Sequence, residues 1–187
     1  EYDIEDAEWL FTDSLACIDQ CSIEWEGFRA NSASYSINLA YIYNASIIQP
    51  VDIYEIYEDD WWSFPRSPLV FEFYWNDQNF VLINNHFKCC SGTENEARRE
   101  SASFLLELYI ETYFPNEQVI VVGDWNDEIE TNNTNQPFWN FISNSVNYQF
   151  TDMEIAEGNS YYWSYPTWPS HIDHILITDE LFDTFNN

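Results

Sequence analysis

Three clusters of polar side chains interrupt stretches that are otherwise apolar, and each holds a group able to move a proton or hold an anion. They are Asn84-Asn85-His86 at the end of FVLINNHF, Asp124 and Asn126 in VVGDWND, and Asp173 within SHIDHILI, flanked by His171 and His174. A polar group on a core strand costs about 1–3 kcal/mol unless it is hydrogen-bonded. One such group is commonly structural. Three of them, each at the end of a strand-like run, point to convergence on one site. A fourth piece is Phe64-Pro65-Arg66-Ser67-Pro68, where two prolines fix the backbone around one of only four arginines. A histidine, carboxylates, an amide and a guanidinium together suit proton transfer beside a bound anion.

The elements that must carry these groups are legible in the hydrophobic pattern. Residues 4–19 place Ile4, Ala7, Phe11, Leu15 and Ile18 on one helical face. Residues 35–43 and 51–57 alternate as strands, separated by Gln49-Pro50. Leu69–Trp75 and Phe80–Phe87 read as two strands joined by Asn76-Asp77-Gln78-Asn79, the sharpest hairpin signal in the chain. Residues 94–113 are expected to form a helix with Ala97, Ser101, Phe104, Leu105 and Leu108 along its buried stripe, stopped at Phe114-Pro115-Asn116. Gln118–Gly123 reads as a strand buried on both faces, ending abruptly in Asp124-Trp125-Asn126-Asp127-Glu128. Polar groups at the C-terminal end of such a strand are where α/β sheets hold their chemistry. Ile172–Thr178 gives one more strand. Strands, hairpins and helices mixed in this way indicate an α+β sandwich in a single domain over residues 1–187, of a size that buries a real core.

Charge bounds the function. The chain of 187 residues carries 33 Asp and Glu against five Lys and Arg, for a net charge of −28. A basic nucleic-acid groove is excluded as a global feature, because counterion release needs cations at the phosphates. A polyanionic substrate must be drawn in by local cations, including bound metal ions. The acidic, lysine-poor surface is that of a salt-adapted extracellular protein, since screening relieves self-repulsion. Cys17 and Cys21 at helical spacing, with the adjacent pair Cys89-Cys90, suggest disulfides between the two groups in a secreted setting.

FPRSPLV, INNH, VVGDWND and SHIDHIL, in that order over residues 64–177, resemble the DNase I-like endonuclease/exonuclease/phosphatase superfamily, in particular its secreted, bacterial-type members. The resemblance implies a four-layer α/β/β/α sandwich and a metal-dependent phosphodiester hydrolase, most simply an extracellular nuclease using Mg²⁺, Ca²⁺ or Mn²⁺. On the family pattern His86 hydrogen-bonds the scissile phosphate, Asp124 orients or deprotonates the attacking water and Asn126 binds a phosphate oxygen. Arg66 is a phosphate contact, with Asn84 beside it, and Asp173 is the carboxylate that orients the family's second histidine. His174 lies on the opposite strand face from Asp173 and reads as core or sheet-surface filling. Trp163 belongs to an aromatic loop with Tyr165 and Trp168, suited to stacking on a base or lipid group or to capping a core. Asp3 falls where the family's metal-binding Glu belongs, with Glu1 and Glu5 as alternatives. The family's first strand and its Ser-Asp-His strand have no counterpart in the sequence, so the chain alone is expected to be a poor hydrolase, completed by the rest of a precursor or by another chain. The alternative is a non-catalytic relative acting as a structural or assembly subunit, its open sheet edges filled by strand addition.

Overall fold

The computed structural model describes residues 24–32, 37–165 and 168–186. The expected helix over residues 4–19 lies outside them, as do Asp3, Cys17 and Cys21. Two antiparallel strands, β1 (Trp25–Arg29) and β2 (Ala40–Asn44), form a small sheet. The large sheet holds six strands in the order β3-β4-β5-β6-β8-β7. These are β3 (Gln49–Glu55), β4 (Leu69–Trp75), β5 (Gln78–His86), β6 (Gln118–Asp124), β7 (Tyr148–Phe150) and β8 (Asp173–Thr178). Helix α1 (Thr93–Tyr113) connects β5 to β6, which pair in parallel; α2 (Trp139–Ser143) and α3 (Met153–Ala156) follow β6 and β7 respectively.

The hairpin β4–β5 turns on Asn76 and Asp77, both at positive φ (50° and 61°). Asn and Asp tolerate that region, and the resulting primed turn matches the strands' twist. Alternation then sorts the strand side chains. Val70, Val81, Ile83, Val119, Val121 and Leu176 face α1 and the aromatic residues after β6, in the main core. Leu69 and Phe71 face the opposite way and pack with Ala30, Leu39 and Tyr41 of the small-sheet segment. Tyr41 ties the layers: its hydroxyl lies 2.7 Å from the carbonyl of Leu69 and 2.9 Å from that of Leu82.

Helix α1 spans the expected residues but buries a different face. Its inner residues are Arg98, Arg99, Ala102, Ser103, Leu106 and Ile110, whereas Phe104 and Leu108 are exposed. The stripe is narrow, Ala102-Leu106-Ile110 at i, i+4, i+8, and two arginines extend it because backbone carbonyls receive them. Arg98 donates to the carbonyl of Trp61 (2.9 Å) and, through Nε, to that of Trp62. Arg99 donates to the carbonyls of Lys88 (2.8 Å) and Cys90 (3.0 Å) and, by Nε and Nη2, to Asp127 Oδ2 (3.0 and 2.8 Å).

Arg99 thus joins the loop after β5 to the loop after β6. Its side chain is only 3% exposed, and removing one partner of a buried, hydrogen-bonded charge costs about 3–5 kcal/mol. Arg99→Met, which keeps the volume and removes the donors, is expected to lower unfolding free energy by about 3 kcal/mol. Urea denaturation with an unchanged slope would register it.

Candidate active site

Strand order and register build the site. β5 and β6 run parallel and β8 runs antiparallel to β6, so the ends of the first two strands meet the start of the third. His86 pairs with Asp124, and Asp124 with Asp173. Three of the sequence-marked side chains therefore stand side by side where three interior strands of the large sheet end, along the edge formed by those strand ends. His86 Nε2 is 3.4 Å from Asp124 Oδ2, and Asp173 is exposed.

The turn after β6 is held from within. Trp125 is fully buried, its ring in edge contact with Phe87, Phe138, Phe141 and Phe150, and its backbone N–H donates to the Ile172 carbonyl at 2.7 Å. With Trp125 pointing into the core, Asp124 and Asn126 sit on either side of it in the turn. Asn126 adopts φ 56°, a conformation Asn accepts more readily than most residues. Its N–H donates to Asp124 Oδ1 (2.9 Å) and its side-chain amide to the Phe87 carbonyl (3.1 Å). Asn126 thereby clamps the ends of β5 and β6 together and fixes the Asp124 carboxylate.

Burial pushes the Asp124 carboxyl up to about 6; the Asn126 N–H opposes this, the Asp173 charge adds to it, and Arg66 opposes it. His86 is lowered from its ordinary value by burial and by Arg66, with Asp173 pulling the other way. Arg66 is itself held down by burial, and its Nε is buried without a hydrogen-bond partner among the described residues. The loop carrying it is locked by buried Phe64, stacked 5.0 Å from Tyr57, and by buried Ser67 and Pro68. A carboxyl-resolved NMR titration is expected to find Asp124 near pH 6 and to find it lower in Asp173→Asn, because the neighbouring charge is gone. An unmoved midpoint would mean that the two carboxylates do not interact.

The remaining candidates separate from this group. Asn84 shares the strand face of His86, but its amide donates to the Ala40 carbonyl at 3.3 Å, bridging the sheets. Trp163 donates from its indole to the Ile155 carbonyl at 3.0 Å and lines a depression with Glu130, Thr131 and Glu157, so no contact brings it to His86 or Asp124. Cys89 and Cys90 are free thiols with sulfurs 2.7 Å apart.

Sequence reasoning missed Asp152. Among the described residues Asp152, His171 and His174 form the group that could gather around a metal ion. Their hydrogen bonds already turn them on one another. His171 Nδ1 accepts from the Ser164 N–H (3.2 Å), so its Nε2 donates to Asp152 Oδ2 (2.8 Å). His174 faces Asp152 Oδ2 with Nδ1 (2.6 Å) and the Asp127 carbonyl with Nε2 (2.9 Å). Asp152 Oδ1 accepts from Ile175 N–H. Burial works against this carboxylate, yet the His174 and Ile175 bonds outweigh it and hold its value below the ordinary one. With its ring nitrogens and carboxylate already turned on one another, the cluster fits a buried hydrogen-bonded clamp better than an ion site. It fastens the start of β8 to the loop after β6, with Asp173 left on the opposite face.

No protein-family model matches the sequence, and no curated protein does. Solved structures do match in fold. The human Nocturnin catalytic domain with bound sulfate superposes at TM-score 0.63 with 16% identity, over 90% of this chain and 64% of that one. An endonuclease/exonuclease/phosphatase from Bacteroides vulgatus gives 0.62 at 14% identity, over 92% and 70%. D. rerio TDP2 complexed with a single-strand DNA product gives 0.60 at 12%, over 89% and 66%. The chain thus has the α+β DNase I-like fold of the endonuclease/exonuclease/phosphatase structures. It spans just under two thirds of the Nocturnin and TDP2 chains.

Proposed function

We propose that the edge carrying His86, Asp124 and Asp173 is the centre of a metal-dependent phosphodiester hydrolase acting on nucleic acid or a related phosphodiester. The observation that carries this reading is Asp124: a fixed carboxylate raised to about 6, beside a histidine and within the field of an unpartnered arginine. A base titrating near 6 is ionised at neutral pH and still accepts a proton readily. Asp124 takes the proton of the attacking water. His86 and Arg66 hold the charge that develops on the phosphate oxygens. Asn126 keeps Asp124 in place, with its amide oxygen left to orient the water. Asp173, exposed beside this group, is an oxygen donor of the kind that a hard divalent cation such as Mg²⁺, Mn²⁺ or Ca²⁺ takes. Such an ion would supply charge neutralisation at the phosphate. Two structures of the same fold, one with sulfate and one with a DNA product, support an anionic phosphoester substrate. The net charge of −28 supports an extracellular, high-salt setting. No helix among the described residues is long and apolar enough to cross a membrane.

One observation favours a second reading, binding without turnover. Among the described residues Asp173 has no histidine to orient, since His171 and His174 are committed to Asp152. The test assays the purified chain against bis-p-nitrophenyl phosphate and single-stranded DNA with each metal in high salt. Turnover that EDTA abolishes supports the hydrolase. DNA binding without turnover supports the second reading, and turnover in EDTA overturns metal dependence.

A further inference from the structure

Four of the five basic residues of this strongly acidic chain fall within residues 66–99, and three of them line one pocket. Arg66, Lys88 and Arg98 surround a cavity of about 450 Å³ with Ser67, Cys89 and Trp61 on its walls. Glu58 is the single carboxylate in the lining among the described residues. In a protein of net charge −28, such a concentration of cations creates a local attractive field that the rest of the surface opposes.

The pocket is also rigid. Arg98 is fixed by the carbonyls of Trp61 and Trp62, with its guanidinium 5.8 Å from the Trp61 ring centre. The segment bearing Lys88 and Cys89 is fixed by the two carbonyl bonds of buried Arg99. Among the described residues the Lys88 ammonium contacts only the Cys89 carbonyl (3.3 Å) and sulfur (3.7 Å), and no carboxylate neutralises it. Arg66 makes no hydrogen bond through its buried Nε to the described residues. The Cys89 thiol is lowered by the hydrogen bond with the Cys90 thiol, against burial, with Lys88 and Arg66 adding to the effect, as a positive field requires. Arg66 acts electrostatically on both Cys89 and Asp124, so it borders this pocket and the catalytic edge alike.

We propose that this pocket is a second phosphate site, which holds the phosphate flanking the scissile one and makes the substrate a species with at least two phosphate groups, a strand of nucleic acid or a nucleoside bisphosphate. The assignment rests on the phosphodiesterase reading for which phosphate is cleaved, and on the pocket alone for binding. Arg66 lies between the two phosphates, Lys88 and Arg98 receive the second, and Trp61, 72% exposed at the rim, offers a stacking face to the attached base.

The probes are thymidine 3′,5′-bisphosphate and thymidine 5′-monophosphate, titrated calorimetrically into the chain in EDTA at fixed salt. The bisphosphate is expected to bind about tenfold or more tightly, the scale of one charged hydrogen-bonding contact. Lys88→Gln is expected to erase most of that difference. Arg29→Gln, which removes a cation from β1, is expected to leave it intact. Equal affinities for the two probes in the unaltered chain would overturn the proposal, as would a bisphosphate preference that survives Lys88→Gln. Because no turnover is involved, a chain that shows the preference but never hydrolyses a phosphodiester would sink the hydrolase reading and leave the pocket standing.

Discussion

Asp124→Asn is expected to abolish hydrolysis while raising the melting temperature. The substitution keeps size and shape, and the amide oxygen can still accept the Asn126 N–H that Asp124 Oδ1 receives at 2.9 Å. What it removes is the proton acceptor and the negative charge. General-base assistance alone is worth about 10²–10⁴-fold, and groups that act as one unit lose more than their separate shares. A fall of at least about 10³ in kcat is therefore expected. The stability effect has the opposite sign. Asp124 has a folded value of about 6 against 3.8 for the ordinary group. Its stabilising contribution is thus present below about pH 3.8 and is lost as pH rises through about 6. At neutral pH the ionised carboxylate is a net cost to the fold. Its side chain remains 29% exposed, so solvent reduces that cost. A rise of about 3 °C is expected at pH 7.5, the scale of about 1 kcal/mol in a chain of this size. The gain should shrink towards pH 4.5, where both states bind the proton more fully. A variant both inactive and less stable at pH 7.5 would show that Asp124 is structural.

This opposition of activity and stability was partly visible in the sequence. Asp124 stood out because an acidic residue followed a run of Val and Ile that could only be a buried strand. The same contrast marked His86 and Asp173, and strand order explains why the three meet: each lies at the one edge that β5, β6 and β8 share. The hairpin was legible because Asn76 and Asp77 suit positive φ whatever surrounds them. The inner face of α1 was not. Nothing local in Arg98 and Arg99 announces that the carbonyls of Trp61, Trp62, Lys88 and Cys90 will receive them. Those acceptors are distant in sequence or lie in irregular backbone, which periodicity does not see. Asp152 was hidden for the same reason: it is 19 and 22 residues from the histidines it binds. Strand alternation put His174 on the face opposite Asp173, but its burial and its two partners, Asp152 and the Asp127 carbonyl, required the fold. Strand β1 and helix α2 lie in aromatic, irregular sequence whose periodicity favours neither state.

Gly123→Ala is expected to be the most destabilising single substitution near the site. Gly123 sits in β6 immediately before Asp124, at φ 137°, a conformation that side chains rarely adopt. A Cβ built there would lie 1.9 Å from the Asn85 carbonyl oxygen, 2.9 Å from its carbon and 3.0 Å from the Asn85 nitrogen. These are backbone atoms of the paired strand, where Asn85 is the register partner of Gly123, so no side-chain rotation relieves the clash. The strands must separate or β6 must change its twist. Either movement disturbs His86 and Asp124, the next pair along the ladder, and the Phe87 N–H bond to the Asp124 carbonyl at 2.9 Å. Strain of this kind belongs with substitutions costing about 4 kcal/mol or more, a drop of roughly 10 °C for a chain of this length. The site should loosen with the fold. In the same variant the Asp124 midpoint should fall from about 6 towards the ordinary carboxylate value, because separated strands admit water to its burial site. Thermal unfolding followed by near-UV circular dichroism, with the carboxyl titration beside it, measures both effects. A melting temperature within about 2 °C of the unaltered chain would show that β5 and β6 do not approach as closely as this register requires.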